Sequence, residues 1–127
     1  MATIHQTVST SSAPAALGPY SQAIIANGFV FCSGSVGINP HTGEIAPDVA
    51  GQTAQVLDNL IAVLAASNSS FAHAVKVTIF LKDLNDFDVV NQIYGAKLGG
   101  ALPARACVQV SRLPKDVLVE IDCIATL

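Results

Sequence analysis

The chain has 127 residues, a mass of 13.1 kDa and a formal net charge of −3 at pH 7. This length fits a single domain spanning residues 1–127. No lysine or arginine precedes Lys76, which argues against a nucleic-acid binder, a secretory signal and a transit peptide. Hydrophobic residues make up 51% and charged residues 12%, an apolar balance that is high for a small monomer and predicts an oligomer. Because no apolar run reaches the roughly twenty residues that span a bilayer, we expect a cytoplasmic protein with no membrane partner, without excluding a mitochondrial pool.

The cysteines have none of the spacings that are typical of disulfide frameworks or zinc sites. Cys32, Cys107 and Cys123 are odd in number and far apart, with no Cys-x-x-Cys pair. The three histidines also lack the spacing of metal ligands. We therefore expect reduced thiols in the core, no metal and no cofactor.

The first half of the sequence predicts strands followed by a loop. Residues 4–8 alternate in polarity and are typical of an edge strand. Asn27-Gly28 separates two apolar runs, which is the pattern of a tight β-hairpin. Residues 34–43 are rich in turn-forming residues and predict an ordered loop.

The middle of the sequence predicts a helix and then a strand. Apolar residues recur at helical spacing from the predicted N-cap Asp48 to a point near Asn68. Residues 75–82 then alternate with the period of a strand, and Phe80 makes the second face of that strand partly apolar.

A second helix and two more strands complete the chain. The helix is predicted to begin at a cap formed by Asn85 or Asp86 and to end at a Gly-Gly pair. This order predicts an α+β fold in which both helices cover one face of a mixed sheet. Since the strands carry apolar residues on both sides, we expect the uncovered face to pack on neighbouring subunits.

Arg105 and Glu120 are the candidate functional residues of the two final strands. Both are charged residues within strongly apolar runs, and the two charges are expected to share one poorly solvated place. The planar guanidinium can bind a carboxylate through two parallel hydrogen bonds, and a glutamate beside it can orient a water or move a proton.

The motifs of this sequence resemble those of the RidA or YjgF family, the reactive intermediate deaminases that act on enamines and imines. The resemblance covers nearly the whole chain. The matching motifs include Gly18-Pro19-Tyr20-Ser21-Gln22-Ala23, Cys32-Ser33-Gly34, Asn85-Asp86-Phe87, Pro103-Ala104-Arg105, Leu113-Pro114-Lys115 and Val119-Glu120-Ile121. Their order and spacing together are specific, although each motif alone is weak.

The resemblance implies a chorismate-mutase-like protomer and a homotrimer with its sites between subunits. It also implies that Arg105 binds the carboxylate of a 2-imino acid, with Glu120 in the same pocket. We expect Arg105 and Glu120 to be the catalytic residues, with Glu120 orienting or deprotonating the attacking water. The surrounding substrate-binding residues are implied to be Tyr20, Ser33, Asn91 and Cys107. The implied reaction converts 2-iminobutanoate or 2-iminopropanoate, formed by pyridoxal-phosphate enzymes, to a 2-keto acid and ammonia without a covalent nucleophile or a metal.

The sequence departs from the usual family pattern at three places. Ser35 follows Ser33-Gly34 where most members have Gln, Lys97-Leu98 replaces a Phe-Phe pair, and Ala106 replaces a hydroxyl-bearing residue. These departures bear on substrate preference and rate.

Structural interpretations of the same residues remain open. Arg105 could form an ion pair at a subunit interface, Glu120 could be a solvated strand residue, and Cys107 could be a small buried hydrophobe. Phe87 and Tyr94, seven residues apart, are predicted to be core residues. Two other functions also compete with deamination: an endoribonuclease, which the acidic composition disfavours, and a non-catalytic trimer that binds keto acids or acts as a chaperone.

Overall fold

The computed structural model describes residues 5–127, which form a six-stranded sheet and two α-helices. The strands are β1 (His5–Val8), β2 (Ala23–Ala26), β3 (Phe29–Val36), β4 (Ala74–Leu81), β5 (Ala104–Gln109) and β6 (Val119–Thr126), and the helices are α1 (Val49–Ala66) and α2 (Phe87–Leu98). The strand order is β1-β2-β3-β6-β4-β5. Only the β4–β5 pair of this sheet is parallel, so the predicted mixed sheet is confirmed.

Both helices lie on one face of the sheet, as predicted. Alternate side chains of the central strands point to that face and form the core with the helices; they include Val30, Cys32, Val77, Ile79, Leu81, Val119, Ile121, Cys123 and Ala125. Within residues 5–127 nothing covers the opposite face, which exposes Phe31 and Val108 at 43% each. We call this second surface the bare face.

The predicted hairpin and edge strand are both present. Asn27 and Gly28 have φ angles of 54° and 81°, the left-handed conformation that a type I′ turn requires at both central positions. Strand β1 pairs with β2 at the edge of the sheet. The predicted start of this strand at Ile4 lies outside the described residues.

Two local predictions are wrong. Residues 34–36 belong to β3 rather than to a loop, because a register shift between Cys32 and Ser35 lets the chain continue pairing with β6. The alternation assigned to residues 75–82 fails at Val75, which is 41% exposed beside a second register shift. A bulge adds one residue to a strand and therefore changes which side chains face the core.

Buried polar side chains attach α1 to the sheet. Asn59 is 1% exposed, and its Nδ2 donates to the carbonyl oxygens of Val36 at 3.1 Å and Ile38 at 3.0 Å. Asp48 occupies the predicted N-cap position, but its side chain accepts no capping hydrogen bond. By length and composition alone α1 could cross a membrane, yet 44% of its residues are buried inside the protein.

The ends of α2 are those that the sequence predicts. Asp86 is the N-cap residue, and Gly99 ends the helix in the left-handed conformation at φ 61°. Lys97, in the last turn, forms an ion pair of 2.6 Å with Asp58 of α1. The pair lies at the surface and joins the two helices.

Candidate active site

Arg105 lies on the helix-covered side of edge strand β5. Its position follows from the parallel register, because Arg105 is opposite the buried Val77 and therefore points to the same face. The side chain is half-buried beneath α2. Its guanidinium opens into a cleft of about 350 Å³ that is also lined by Leu102 and Pro103.

Neutral groups hold the guanidinium of Arg105. Its Nη1 donates to Oδ1 of Asn91 at 2.6 Å, and its Cζ lies 4.9 Å from the ring centroid of Tyr94 and 5.6 Å from that of Phe87. The ion pairs within residues 5–127 join other residues, so no carboxylate of the described chain neutralises this charge. The predicted Arg105–Asn91 proximity is therefore present, and the site keeps a positive charge available to an anion.

The aromatic partners of Arg105 are functional candidates that the sequence reasoning missed. Phe87 and Tyr94 were assigned only to the core. A signal for more was available, because Phe87, Asn91 and Tyr94 follow the i, i+4, i+7 spacing of one helix face. What the sequence does not give is the register that places Arg105 beneath this face.

Cys107 shares the strand face of Arg105, as the two-residue spacing predicts. It pairs with the buried Ile79 and is itself half-buried. Burial raises the pKa of the Cys107 thiol, and the nearby charge of Arg105 partly opposes this effect. The thiol is therefore protonated at neutral pH, which fits a wall of the site better than a nucleophile.

Glu120 and Arg105 do not share one place within a single protomer. Glu120 pairs with Phe80 and Val36, and its side chain points to the bare face, whereas Arg105 points to the helices. Strand β4 also separates their two strands. Since successive side chains of a strand alternate, one sheet cannot bring these two groups together without a second copy.

The carboxyl group of Glu120 lies against Gly34 of β3. A Cβ placed on Gly34 would come within 2.8 Å of Glu120 Oε2, so the glycine provides the space that this carboxyl occupies. Burial raises the pKa of the Glu120 carboxyl above its ordinary value, and the charge of Asp122 raises it further. A carboxyl of this kind exchanges protons closer to neutral pH than a solvated glutamate does.

Tyr20 and Ser33 lie on the same side of the predicted site as Gly34. Both line a mainly apolar cavity of about 160 Å³ together with Gly34 and Ser35. Ser33 Oγ donates to the carbonyl of Ser21 at 2.5 Å, whereas Tyr20 is 55% exposed. Gly34 lines this cavity and also adjoins the carboxyl group of Glu120, which is not itself part of the cavity lining.

The three departures from the family pattern occupy different surroundings. Ser35 lines the smaller cavity, Ala106 lies on the bare face between Arg105 and Cys107, and Lys97 is in the ion pair between the helices. Only Ser35 contacts a cavity of the candidate site.

The predicted residues thus form two separated groups. Arg105, Asn91 and Cys107 belong to a cationic group beneath α2, whereas Glu120 belongs with Tyr20, Ser33 and Gly34 to a second group at β3 and β6. These features define an α+β protein with a cationic cleft beneath α2 and a partly buried carboxyl group on the opposite face of the sheet.

The chain belongs to the Endoribonuclease L-PSP family, which contains the YjgF and RidA proteins. The sequence model of this family matches residues 10–127. It is 53% identical over 123 residues to the RutC family protein slr0709 of Synechocystis, covering 94% of this chain and 95% of that protein. It is 46% identical over 123 residues to the 2-iminobutanoate/2-iminopropanoate deaminase of Escherichia coli K12, covering 94% and 96% of the two chains.

Two solved structures have the same fold. The YjgF gene product of E. coli superposes with a TM-score of 0.92 at 45% identity, covering 95% of this chain and 98% of that one. E. coli TdcF with bound serine superposes with a TM-score of 0.92 at 41% identity, covering 96% and 98%. These comparisons confirm the family and the fold that the sequence motifs indicate.

Proposed function

We propose that this protein hydrolyses small 2-imino acids and their enamine tautomers to 2-keto acids and ammonia. The observation that carries the proposal is the guanidinium of Arg105, which is held by an amide oxygen and two aromatic rings and lacks a carboxylate partner among residues 5–127. The names of the E. coli deaminase and of the Arabidopsis Reactive Intermediate Deaminase A, 50% identical over 123 residues, support the same reaction class.

Arg105 is the proposed carboxylate-binding residue. Since Asn91 occupies Nη1 from one side and the rings lie against the guanidinium, the remaining N–H groups are free to bind both oxygens of one carboxylate. Fixing the carboxylate places the adjacent imine carbon at a constant distance from the catalytic groups. Cys107, on the same strand face, borders this position.

Glu120 is the proposed acid–base residue. Its carboxylate accepts a proton from a water while the water oxygen adds to the carbon of the protonated imine, which gives a neutral tetrahedral carbinolamine. The Glu120 carboxyl then delivers this proton to nitrogen and the C–N bond breaks as ammonia leaves. The hydroxyl proton returns to the Glu120 carboxylate as the carbonyl forms. Atoms and electrons balance without an oxidant, a metal or a covalent enzyme intermediate. Tyr20 and Ser33 line a cavity together with Gly34, and Gly34 adjoins the carboxyl group of Glu120.

A homotrimer with sites between subunits is the proposed assembly. Arg105 and Glu120 lie on opposite faces of one sheet, and the bare face that carries Glu120 also exposes Phe31 and Val108. A second copy seated on this face buries these apolar side chains and brings its own Arg105 toward Glu120. We further propose that the trimer acts in the cytoplasm and protects pyridoxal-phosphate enzymes from reactive intermediates.

Release of 2-keto acid from imines generated in place tests this function. A dehydratase would supply the enamine, and pyruvate or 2-oxobutanoate release would be measured above the uncatalysed rate for the wild-type protein and for Arg105→Ala. We expect acceleration by the wild type and a loss of about 10- to 100-fold in kcat/KM in the variant, because a charge-assisted carboxylate contact disappears. Arg112→Ala is the matched control, since Arg112 is exposed and pairs with Asp116.

The outcomes separate the candidate functions. A wild-type protein that binds 2-oxobutanoate but does not accelerate imine hydrolysis contradicts the deaminase and favours a keto-acid-binding trimer. Full activity in Arg105→Ala contradicts the proposed carboxylate anchor.

A further inference from the structure

The ring of Tyr94 lies directly against the guanidinium of Arg105, although the hydroxyl of the same residue has no visible role. The Cζ of Arg105 is 4.9 Å from the ring centroid, within the distance of a cation–π contact. Tyr94 Oη is buried and has no hydrogen-bond partner among residues 5–127. Burial raises the pKa of this hydroxyl, so it remains protonated and neutral.

We propose that Tyr94 is a positioning residue whose ring fixes the guanidinium of Arg105 for the substrate carboxylate. This inference rests on the proposed function and adds a residue to it. A long arginine side chain at an edge strand loses much conformational freedom when it binds a ligand, and a ring that already holds its plane reduces that loss.

Phe87 and Asn91 complete the same support. The Phe87 ring lies 5.6 Å from Cζ, and Asn91 Oδ1 accepts from Nη1 at 2.6 Å. All three groups project from one face of α2 and none carries a negative charge. They orient the arginine and leave its positive charge available to a ligand. A carboxylate partner at the same place would neutralise that charge.

The hydroxyl and the ring of Tyr94 are separable by substitution. Tyr94→Phe keeps the ring and removes a buried hydroxyl without a partner, so its melting temperature should equal or exceed that of the wild type. Tyr94→Leu removes the ring and loses packing, because Tyr94 is only 8% exposed. Phe71→Leu is the matched control for lost aromatic packing, since Phe71 is 6% exposed and its ring is not one of the two over Arg105.

The experiment compares how strongly each protein prefers a carboxylate to a neutral amide. Calorimetric affinities for 2-oxobutanoate and 2-oxobutanamide would be measured for the wild type, Tyr94→Phe, Tyr94→Leu and Phe71→Leu, alongside imine hydrolysis and thermal unfolding. We expect Tyr94→Leu to lower the carboxylate preference by about 5- to 30-fold and to raise KM more than it lowers kcat. Tyr94→Phe should restore the preference, and Phe71→Leu should keep it despite a lower melting temperature.

Two results overturn the inference in distinguishable ways. A Tyr94→Leu protein that retains the wild-type carboxylate preference contradicts the positioning role alone, while the proposed function stands. A wild-type protein that neither prefers the carboxylate nor accelerates imine hydrolysis contradicts both. If Tyr94→Phe loses the preference as Tyr94→Leu does, the hydroxyl rather than the ring is responsible and the inference is wrong.

Discussion

Glu120 and Asp122 are two carboxylates at alternate positions of β6, so both point to the bare face. The pKa of Glu120 is raised first by burial and then by the charge of Asp122. The pKa of Asp122 is also raised by burial, although Thr78 and Lys76 oppose the shift. The charge at position 122 therefore affects the pKa of Glu120.

The pH dependence of hydrolysis should therefore move when Asp122 is changed. If Glu120 acts as a base, kcat/KM rises as the pH increases through its pKa, which lies above the ordinary glutamate value. Asp122→Asn removes a negative charge that favours the protonated form, so the pKa falls and the acidic limb shifts to lower pH. The measurement is kcat/KM against pH with the uncatalysed rate subtracted at every point.

Asp88→Asn provides the control for this shift, because Asp88 is an exposed acid of α2 on the opposite side of the sheet. Its profile should coincide with that of the wild type. A limb that moves to higher pH in Asp122→Asn, or that does not move, would contradict the assignment of Glu120 as the base.

At the scale of elements, the attachment of α1 depends on a few buried polar contacts. Asn59 donates to two backbone carbonyls where the chain leaves β3, and Gln55 Nε2 donates to Asn59 Oδ1 at 2.9 Å. Neighbouring Asp58 faces outward and pairs with Lys97, with side chains 52% and 35% exposed. Adjacent residues of one helix thus make a buried contact and a surface ion pair.

Substitution of these neighbours should have unequal effects on stability. Asn59→Ala removes a donor to two backbone carbonyls and leaves a cavity at a position that is 1% exposed, so it should lower the free energy of unfolding by about 2–4 kcal/mol. Asp58→Ala should lower it by less than about 1 kcal/mol, because exposed ion pairs are screened by water and salt. Urea unfolding at one protein concentration measures both, since oligomerisation makes stability concentration-dependent. Equal losses in the two variants would contradict this account.

The elements themselves were predictable where short-range signals are strong. The Asn27-Gly28 turn, the helical period after Asp48 and the left-handed Gly99 each depend on a few neighbouring residues. The bulges at Val75 and after Cys32 were not predictable, because they arise from pairing with β6, which is distant in sequence. At those two places the sequence pattern predicts the local structure or the side-chain exposure wrongly.

The motifs indicated which residues to place in the candidate site, but not how they are arranged. They indicated Arg105 and Glu120, and the apolar strands indicated a sheet face that the helices leave uncovered. Which face each side chain takes depends on strand order and register, and β4 enters between the two strands only in the folded sheet. The aromatic contacts of Arg105 were missed for the same reason, since α2 reaches β5 only through tertiary packing.

The proposed division of the site between copies predicts that the activity of the whole molecule depends on assembly. If Arg105 of one copy and Glu120 of another form one site, then Arg105→Ala and Glu120→Gln should each lose most of the activity when assayed alone. Each variant still supplies the group that the other lacks. Co-refolding the two at equal amounts should restore activity, because some interfaces combine an intact Arg105 with an intact Glu120.

Random assembly of the two variants predicts about one quarter of the wild-type activity, since each site receives both intact groups with a probability of about one half squared. Activity would be measured against the fraction of one variant in the mixture, with a maximum expected at equal amounts. A mixture of Arg105→Ala with Arg105→Lys is the control, because neither partner supplies the missing guanidinium and the maximum should disappear. Mixed oligomers without restored activity would contradict a site shared between copies. Both groups would then have to act within one protomer, which the opposite orientation of their side chains contradicts, or one of them would take no part in the reaction.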